Sequence, residues 1–189
     1  MRKLISHMHI SLDAFACSES HDFDWIKVDE EIFDHGHHHI AAADVAFFGR
    51  NTFALMESYW PTAANKPDAS KHDREHSQWY KQVTKYVFSN TLQQSEISNA
   101  TILTGNIEEQ VINIKKQPGG NIIILGSPGL VHSLQKLNLI DEYLLNINPV
   151  ILGNGTRMFD ACVDRTKLTL LDSNQFKCGV VNVRYRVEK

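Results

Sequence analysis

The sequence predicts a single α/β domain built on a mixed, mostly parallel sheet. Two stretches indicate this fold class, because in each a short apolar run ends in a turn with glycine and continues at helical spacing: residues 122–137 and 44–56. The tail differs, since residues 167–172 and 180–187 alternate apolar and polar side chains, which is typical of an antiparallel hairpin with one solvated face. Strands joined by helices and followed by a hairpin form one layered domain.

The other elements follow from local patterns along the chain. Apolar runs predict strands, and helical spacing behind acidic first turns predicts helices. Strands are expected at residues 2–10, 44–48, 86–88, 101–103, 122–125 and 139–147, and helices at residues 29–42, 53–56, 74–81, 107–116 and 130–137. We expect mostly loop between residues 57 and 84, where Pro61 and Pro67 interrupt a polar stretch, and a polar loop from Phe15 to Asp24.

Composition and charge exclude several classes of function. The net charge of −3, with no basic block, gives nucleic-acid binding no electrostatic support. No apolar run approaches the roughly 20 residues of a membrane-spanning helix, and the first residues are too polar for a signal peptide. Cys17, Cys162 and Cys178 are far apart and form no Cys-x-x-Cys pair, so we expect a cytoplasmic protein without a disulfide framework. No feature marks one of these thiols as an activated nucleophile.

The junction after the apolar run 122–125 has the features of an anion site. Gly126, Ser127, Pro128 and Gly129 form a turn that opens a helix. Backbone N–H groups and the positive end of a helix dipole meet there, and glycine lets a phosphate approach the backbone. We expect Ser127 to cap the helix and Pro128 to fit its first turn. Since the full dinucleotide and P-loop motifs are missing, a plain turn is the alternative.

A second junction of the same kind lies upstream. Gly49 permits close backbone approach, Arg50 offers a forked cation suited to phosphate, and Thr52 adds a hydroxyl. Three small polar residues, 89–91, follow another strand. Ligands of open α/β sheets collect at the carboxyl ends of the strands, and the alternatives for these segments are an ordinary helix start and plain turns.

Histidines are concentrated in two places. His35 and His39 stand four residues apart on a predicted helix, as two zinc ligands can, but no glutamate of the metalloprotease pattern and no third ligand accompany them. A solvated histidine-rich face is therefore favoured and no metal is expected. His7 and His9 share one side of the first strand, which is either a solvent face or the floor of a cleft.

Seven short segments in this order resemble the dihydrofolate-reductase-like fold family. Within it, the closest pattern is that of the reductase domain of riboflavin biosynthesis, the RibD C-terminal domain, and its stand-alone relatives. The segments are residues 11–13, 24–25, 48–52, 87–92, 125–130, 139–143 and 149–155 with Phe159. The resemblance covers nearly the whole chain and implies one three-layer α/β/α domain, residues 1–189. It also implies a homodimer.

The resemblance implies that NADPH lies across the carboxyl edge of the sheet. Three groups of residues would hold it. They are Gly49, Arg50 and Thr52 at the phosphates; Ser89, Asn90 and Thr91 at the adenosine ribose and its 2′-phosphate; and Leu125, Gly126, Ser127, Gly129 and Leu130 at the pyrophosphate.

Two carboxylates are candidates for the catalytic side of the site. Asp13 either faces the nicotinamide and substrate or only shapes its loop. Glu30, five residues past Trp25, falls near the place where dihydrofolate reductases carry their acid. The alternative is that Glu30, like Asp29, is only one of the acidic residues that the dipole favours at a helix N-terminus. Ala14 stands where the family has glycine, so a positive φ is not expected there.

These features predict an NADPH-dependent reductase that passes hydride to a small heterocycle, pterin- or pyrimidine-like, or to a carbonyl compound. The expected activity is similar to that of 5-amino-6-(5-phosphoribosylamino)uracil reductase of riboflavin biosynthesis. The chain has no zinc-deaminase motif, so it is not the bifunctional enzyme of that pathway. The alternatives are dihydrofolate reductase itself, a non-catalytic NADPH-binding module, and a histidine-rich metal-binding protein.

Overall fold

Ten strands and five helices make up the described part of the computed structural model, which covers residues 1–94, 99–160 and 164–189. The strands are β1 Leu4–Ser11, β2 Phe15–Cys17, β3 Ala43–Gly49, β4 Thr84–Phe88, β5 Thr101–Leu103, β6 Asn121–Leu125, β7 Glu142–Asn148, β8 Thr156–Arg157, β9 Leu168–Gln175 and β10 Val181–Val187. The helices are α1 Glu30–Ala41, α2 Arg50–Ala63, α3 Lys71–Gln82, α4 Ile107–Lys116 and α5 Pro128–Lys136.

One eight-stranded sheet organises the fold, in the order β5-β4-β3-β6-β1-β7-β10-β9. The first six strands of this order are parallel to one another, and β10 and β9 add the predicted antiparallel hairpin. All parallel strands therefore end at the same edge, which collects the loops behind them. Strands β2 and β8 pair with each other in a separate two-stranded sheet.

Helices cover both faces of the sheet, which gives the three layers that the sequence predicts. On one face Leu4 and Met8 of β1 belong to a core with residues of α4 and α5, and on the other Ile123 of β6 belongs to a core with residues of α1, α2 and α3. Ile122, Ile123 and Ile124 are fully buried. A strand buried on both faces must be apolar throughout, as its sequence is.

The short helix expected around residues 74–81 is present as α3, but the loop expected before it is much shorter than predicted. Helix α2 continues to Ala63 with Pro61 inside it, and α3 begins at Lys71 behind a Ser70–Asp73 capping box. Contacts with α3 hold the last turn of α2: the Ser77 hydroxyl donates to the Trp60 carbonyl over 2.7 Å. Packing of this kind outweighs the local preference of proline to end a helix.

Part of the polar loop expected after Phe15 is instead strand β2, which pairs with β8. Cys17 and Cys178 are free thiols, whereas Cys162 lies outside the described residues. Among the helices of the described ranges, none combines the length and the apolar character needed to cross a membrane.

Candidate functional site

The two glycine-containing junctions meet at the carboxyl edge of the sheet. The Gly49 amide, at the end of β3, donates to the Ser127 hydroxyl over 3.0 Å. Gly126 lies against Thr52, since a Cβ on Gly126 would stand 3.5 Å from the Thr52 methyl carbon. The N-termini of α2 and α5 thus form one surface, where the resemblance implies a single cofactor.

Both helix N-termini are open at this surface. Neither Gly49 nor Ser127 makes a side-chain capping bond, and neither first turn contains an acidic residue. The expected Ser127 cap is wrong, because Ser127 adopts φ 58° and its hydroxyl accepts from Gly49 instead. The N–H groups of a first helical turn have no partner within the helix, so two positive helix ends face the same space.

Arg50 links this surface to the turn after β4. Its guanidinium donates to the Thr91 hydroxyl over 3.0 Å and to the Asn51 side chain over 3.3 Å. The Ser89 hydroxyl accepts from the Thr91 amide over 3.2 Å and so shapes the same turn. Arg50, Asn90 and Thr91 are exposed. The structure therefore brings together three of the segments that the sequence assigns to one ligand.

The donors at this edge fit the phosphate groups of a nicotinamide dinucleotide. Two open helix N-termini and one exposed guanidinium suit a diphosphate and a further phosphate. A Cβ on Gly129 would meet no atom within 4 Å, so space lies in front of the first turn of α5. Leu125 and Leu130 have buried side chains, and their backbone alone can reach a ligand.

Asp13 fastens two loops together at the same edge. One carboxylate oxygen accepts from the Ser11 hydroxyl over 2.6 Å and from the Leu152 amide over 3.1 Å, and the other accepts from the Gly153 amide over 2.8 Å. The Ser11 hydrogen bond, followed by those from the backbone amides of Gly153 and Leu152, lowers the pKa of Asp13 to about 2. The structure favours the loop-shaping alternative for this residue.

Ala14 has φ 63°, so the expectation of a negative φ at this position is wrong. The turn is held from both sides, because the Ala14 amide donates to the Ser11 carbonyl over 3.0 Å and the Phe15 amide donates to the Ser11 hydroxyl over 2.9 Å. These bonds offset the cost of left-handed backbone in alanine, about 1–2 kcal/mol. The two fastened loops display apolar side chains: Leu12 is 66% exposed and Ile151 is 71% exposed.

Glu30 lies in the exposed first turn of α1. Its neighbour Asp29 is the N-cap and accepts from the Ile32 amide over 2.9 Å, a bond that lowers the pKa of Asp29. Trp25, on the preceding loop, is 9% exposed. The role of Glu30 as an acid stays a prediction.

A row of imidazole and amide side chains, which we call the imidazole–amide row, crosses three strands beneath α1. It runs from His9 on β1 through Asn146 on β7 and Asn182 on β10 to His35 on α1. The His9–Asn146, Asn146–Asn182 and Asn182–His35 contacts measure 3.1, 2.7 and 3.1 Å. His7 and Asn148 flank the row. The sequence points to His7 and His9 as one side of a strand, but not to the asparagines.

The imidazoles of β1 are neutral at physiological pH. Burial, with the neighbouring imidazoles as a smaller cause, lowers the pKa of His7 to about 3, and burial lowers that of His9 to about 4. Both residues keep some solvent-accessible surface, whereas Asn146, Asn148 and Asn182 behind them are at most 2% exposed. Of the two alternatives for this side of β1, the solvent face is wrong, because helix α1 covers it at Gly36 and His7.

Within the described ranges, no three His, Cys, Asp or Glu side chains are grouped so as to hold a metal ion. His35 and His39 are neighbours, with ring centroids 5.0 Å apart. Nε2 of His35 contacts the Asn182 side-chain amide at 3.1 Å, so this ring nitrogen does not face another metal-binding group.

Fold and site together define an α/β protein of the dihydrofolate-reductase-like class. The family model described as the RibD C-terminal domain matches residues 2–182, and the chain belongs to this family. The uncharacterized protein YyaP of Bacillus subtilis (strain 168) is 34% identical over 188 residues, covering 97% of this chain and 94% of the relative. A second protein of that strain, the uncharacterized YwjB, is 26% identical over 176 residues, covering 93% and 92%.

Solved structures share the fold at low identity. A protein from Shewanella sp. PV-4 is 17% identical with a TM-score of 0.73, and the match covers 99% of each chain. A pyrimidine reductase-like protein from Corynebacterium diphtheriae is 14% identical with a TM-score of 0.67, covering 100% of this chain and 92% of its own. A deaminase/reductase from Thermotoga maritima, named for 5-amino-6-(5-phosphoribosylamino)uracil, is 12% identical with a TM-score of 0.67; the match covers 99% of this chain and 57% of that one. The resemblance predicted from seven segments is confirmed.

Proposed function

We propose that the protein is an NADPH-dependent oxidoreductase that reduces a small heterocyclic or carbonyl substrate. The observation that carries this proposal is the contact between Gly49 and Ser127, which sets two open helix N-termini side by side next to Arg50. Membership of the RibD C-terminal domain family supports the class of reaction. The reductase names of the Corynebacterium and Thermotoga structures agree with it.

Residues from three strand ends hold the dinucleotide in this proposal. The Thr52 hydroxyl and the backbone N–H groups in the first turns of α2 and α5 bind the diphosphate, while Gly49, whose own N–H donates to Ser127, joins the two turns. Arg50, held by Thr91, binds the phosphate of the adenosine ribose. The dinucleotide, when bound, supplies the hydride.

The protein orients the reactants and handles one proton. Asp13 fixes the loops after β1 and β7, so that Leu12 and Ile151 present an apolar surface to the nicotinamide ring. With a pKa of about 2, Asp13 is ionised at neutral pH and does not deliver the proton that accompanies hydride transfer. Glu30 keeps the proposed role of proton donor. The expected homodimer is likewise a proposal, carried by family membership.

The first test is a titration of the purified protein with NADPH and NADH, followed by nicotinamide fluorescence. We expect saturable binding that prefers NADPH and weakens about tenfold or more in Arg50→Ala, the order of one charge-assisted hydrogen bond. Arg186→Ala is the matched control, because Arg186 is exposed and lies opposite Glu142 in the strand register, at the start of β7 and thus at the other edge of the sheet. Failure to bind either nucleotide at high micromolar concentration overturns the proposal.

One observation favours a second candidate, a non-catalytic NADPH-binding module. The Asp13 carboxylate accepts hydrogen bonds from three donors, and Glu30 is exposed instead of lying in a dry cleft. Binding of NADPH without oxidation across a panel of pterins, pyrimidines and carbonyl compounds would support this module. Turnover of dihydrofolate in the same panel would identify dihydrofolate reductase.

A further inference from the structure

A cavity, which we call the amino-edge cavity, opens at the amino ends of the parallel strands, at the edge of the sheet opposite the proposed dinucleotide site. The charged residues of its lining are Arg2, Lys3, Lys115, Asp141, Glu142 and Arg186. The guanidinium of Arg2 pairs with Asp44 and adds no free charge. The cavity measures about 210 Å³. This is far more than the roughly 10–15 Å³ that one water needs and less than the about 300–1,000 Å³ of most small-molecule pockets, so a compact ligand fits.

Two carboxylates lie in the wall of the amino-edge cavity, and each has a cation that neutralises it. The Glu142 carboxylate, which is buried, contacts the Arg184 guanidinium at 2.6 and 2.8 Å. The Asp141 carboxylate accepts from the ammonium of Lys115, which is also buried. Burial acts to raise the pKa of both carboxyl groups, but hydrogen bonds from neighbouring cations outweigh it and lower the pKa of Asp141 and of Glu142. Both carboxylates are therefore ionised at neutral pH and already paired.

Three further cations at this cavity exceed the number of carboxylates. Lys3 contacts Glu142 at 2.8 Å and Lys189 contacts Asp141 at 2.7 Å, so each carboxylate has a second cation. Arg186 lies opposite Glu142 in the strand register, and among the described residues its guanidinium makes no hydrogen bond or ion pair. Five cations thus surround two carboxylates, in a protein whose net charge is −3. The cluster has a positive excess that no group of the described chain neutralises.

The excess cations are more exposed than the cations that neutralise the carboxylates. The side chains of Lys3 and Lys189 are 54% and 38% exposed, and Arg186 is exposed as well. Those of Lys115 and Arg184 are 5% and 24% exposed. Because exposed ion pairs contribute little to stability, Lys3 and Lys189 can turn toward a ligand while the two carboxylates keep their inner partners.

Hydrogen bonds hold the walls of the cavity together. The Asp141 carboxylate accepts from the Leu4 amide over 2.8 Å, and the Lys115 ammonium donates to the Leu139 carbonyl over 3.0 Å. The Arg2 amide donates to the Lys115 carbonyl over 3.0 Å. These bonds join the start of β1, the end of α4 and the turn before β7. The fold therefore brings the cations together before any ligand arrives, which reduces the ordering that binding requires.

We propose that the amino-edge cavity binds a compact polyanion, a phosphate or a polycarboxylate. A multiply charged oxyanion can accept from Lys3, Lys189 and Arg186 together, and hydrogen bonds between charged groups are the strong ones. A singly charged anion neutralises only part of the excess and should bind more weakly. The cavity is separate from the proposed dinucleotide site, because β1 and β7 begin at the cavity and end at the other edge of the sheet. The inference therefore does not depend on the proposed reductase function.

The test is calorimetric titration of the protein with inorganic phosphate, citrate and acetate at pH 8 and constant ionic strength. We expect phosphate or citrate to bind, and acetate, with its single charge, to bind at least about tenfold more weakly, the order of one charge-assisted hydrogen bond. Binding of only one of the two polyanions supports the inference and distinguishes a phosphate ligand from a polycarboxylate. Equal binding of acetate overturns the inference, and so does the absence of binding by both polyanions at millimolar concentration.

Variants locate the bound ion. Arg186→Ala and Lys3→Gln should each weaken polyanion binding about tenfold, whereas Arg74→Ala, at an exposed arginine of α3, should not change it. Thermal unfolding without ligand checks that the variants are folded, as we expect for exposed side chains. Unchanged binding in both Arg186→Ala and Lys3→Gln overturns the inference.

Arg50→Ala distinguishes this cavity from the dinucleotide site, whose open helix N-termini also suit phosphate. We expect Arg50→Ala to lose NADPH and keep the polyanion, and Arg186→Ala to do the reverse. A loss of polyanion binding that occurs only in Arg50→Ala would assign the ion to the dinucleotide site and overturn the inference. Failure of NADPH to bind would overturn only the proposed function, because the polyanion titrations need no dinucleotide.

Discussion

The Gly49 amide donates a hydrogen bond to the Ser127 hydroxyl over 3.0 Å, and this bond joins the N-termini of two helices that are 78 residues apart in the sequence. Ser127 is 4% exposed, so the hydroxyl is the natural partner of an amide that water reaches poorly. The bond therefore serves the fold and the proposed dinucleotide site at once.

Substitution of Ser127 should separate the hydrogen bond that its hydroxyl accepts from the cost of its left-handed backbone. Ser127→Ala removes the acceptor and keeps the left-handed backbone of a non-glycine residue, so we expect a loss of about 1–2 kcal/mol of the free energy of unfolding. Ser127→Gly also removes the acceptor but relieves the backbone cost, and it should lose less. Urea unfolding of the three proteins measures the order, and a glycine variant less stable than the alanine variant would contradict this account.

Asp13 should make the protein sensitive to acid in a defined range. Its pKa is about 2 in the folded protein, below its value in an unfolded chain, about 3.9. The stabilisation by the ionised Asp13 carboxylate is therefore complete above pH 4. It is lost as the pH falls toward 2, because the carboxyl group of the unfolded chain takes up its proton at a higher pH than that of the folded protein. Asp13→Asn should be less stable than the wild type at pH 7, and the difference should shrink between pH 4 and 2. A constant difference over this range, measured by thermal unfolding, would count against the role of the carboxylate.

A second, higher range of acid sensitivity should come from His76 on α3. The side chain is 4% exposed with both ring nitrogens unpartnered among the described residues, and burial lowers its pKa to about 3. Since an unfolded histidine titrates near pH 6.5, the stability due to neutral His76 is complete above that pH and falls below it, by up to about 1.4 kcal/mol per pH unit.

The test of His76 compares His76→Phe with the wild type at pH 8 and pH 5. The ring packs against Trp60 with centroids 4.0 Å apart, so phenylalanine keeps much of the contact and cannot take up a proton. We expect similar stability at pH 8 and a more stable variant at pH 5. His38→Phe, at an exposed position of α1, should show no such gain.

Glu30→Gln tests the proposed proton donor. If the carboxyl group delivers the proton, the variant should bind NADPH normally and turn over the substrate about 10²–10⁴-fold more slowly, the range of general acid catalysis. Glu31→Gln is the matched control, since Glu31 lies next in the chain and pairs with Lys177 at 2.6 Å. Unchanged turnover in Glu30→Gln would remove Glu30 from the mechanism.

The sequence predicts the sheet well where burial determines the residue type. The run around Ile123 is apolar because both of its faces are covered, and this pattern is readable without knowing the neighbours of the strand. The hairpin is predicted as well, but β9 has no covered face, since Leu168, Leu170 and Leu171 are 40%, 52% and 41% exposed. The continuation of α2 through Pro61 was not predictable in this way, because contacts with α3 decide it.

The site is predictable to the extent that it depends on backbone chemistry. Gly49 and Gly126 mark turns before helices, and such turns bind anions wherever they occur. The imidazole–amide row has no such local mark, since Asn146 and Asn182 become neighbours only through the register of β7 and β10. The positive φ of Ala14 also depends on hydrogen bonds that Ser11 accepts from the Ala14 and Phe15 amides, and no single residue type indicates these.

The strand order has a consequence for how the chain is made. β1 lies between β6 and β7, which begin at Asn121 and Glu142, so β1 leaves the ribosome more than 100 residues before either of its partners. Contacts of such high sequence separation form late and slowly, and unpaired apolar strands expose surface that aggregates. Nascent chains that stop before residue 121 should therefore remain sensitive to protease and depend on chaperones, and the Gly49–Ser127 surface cannot form before Ser127 has been synthesised.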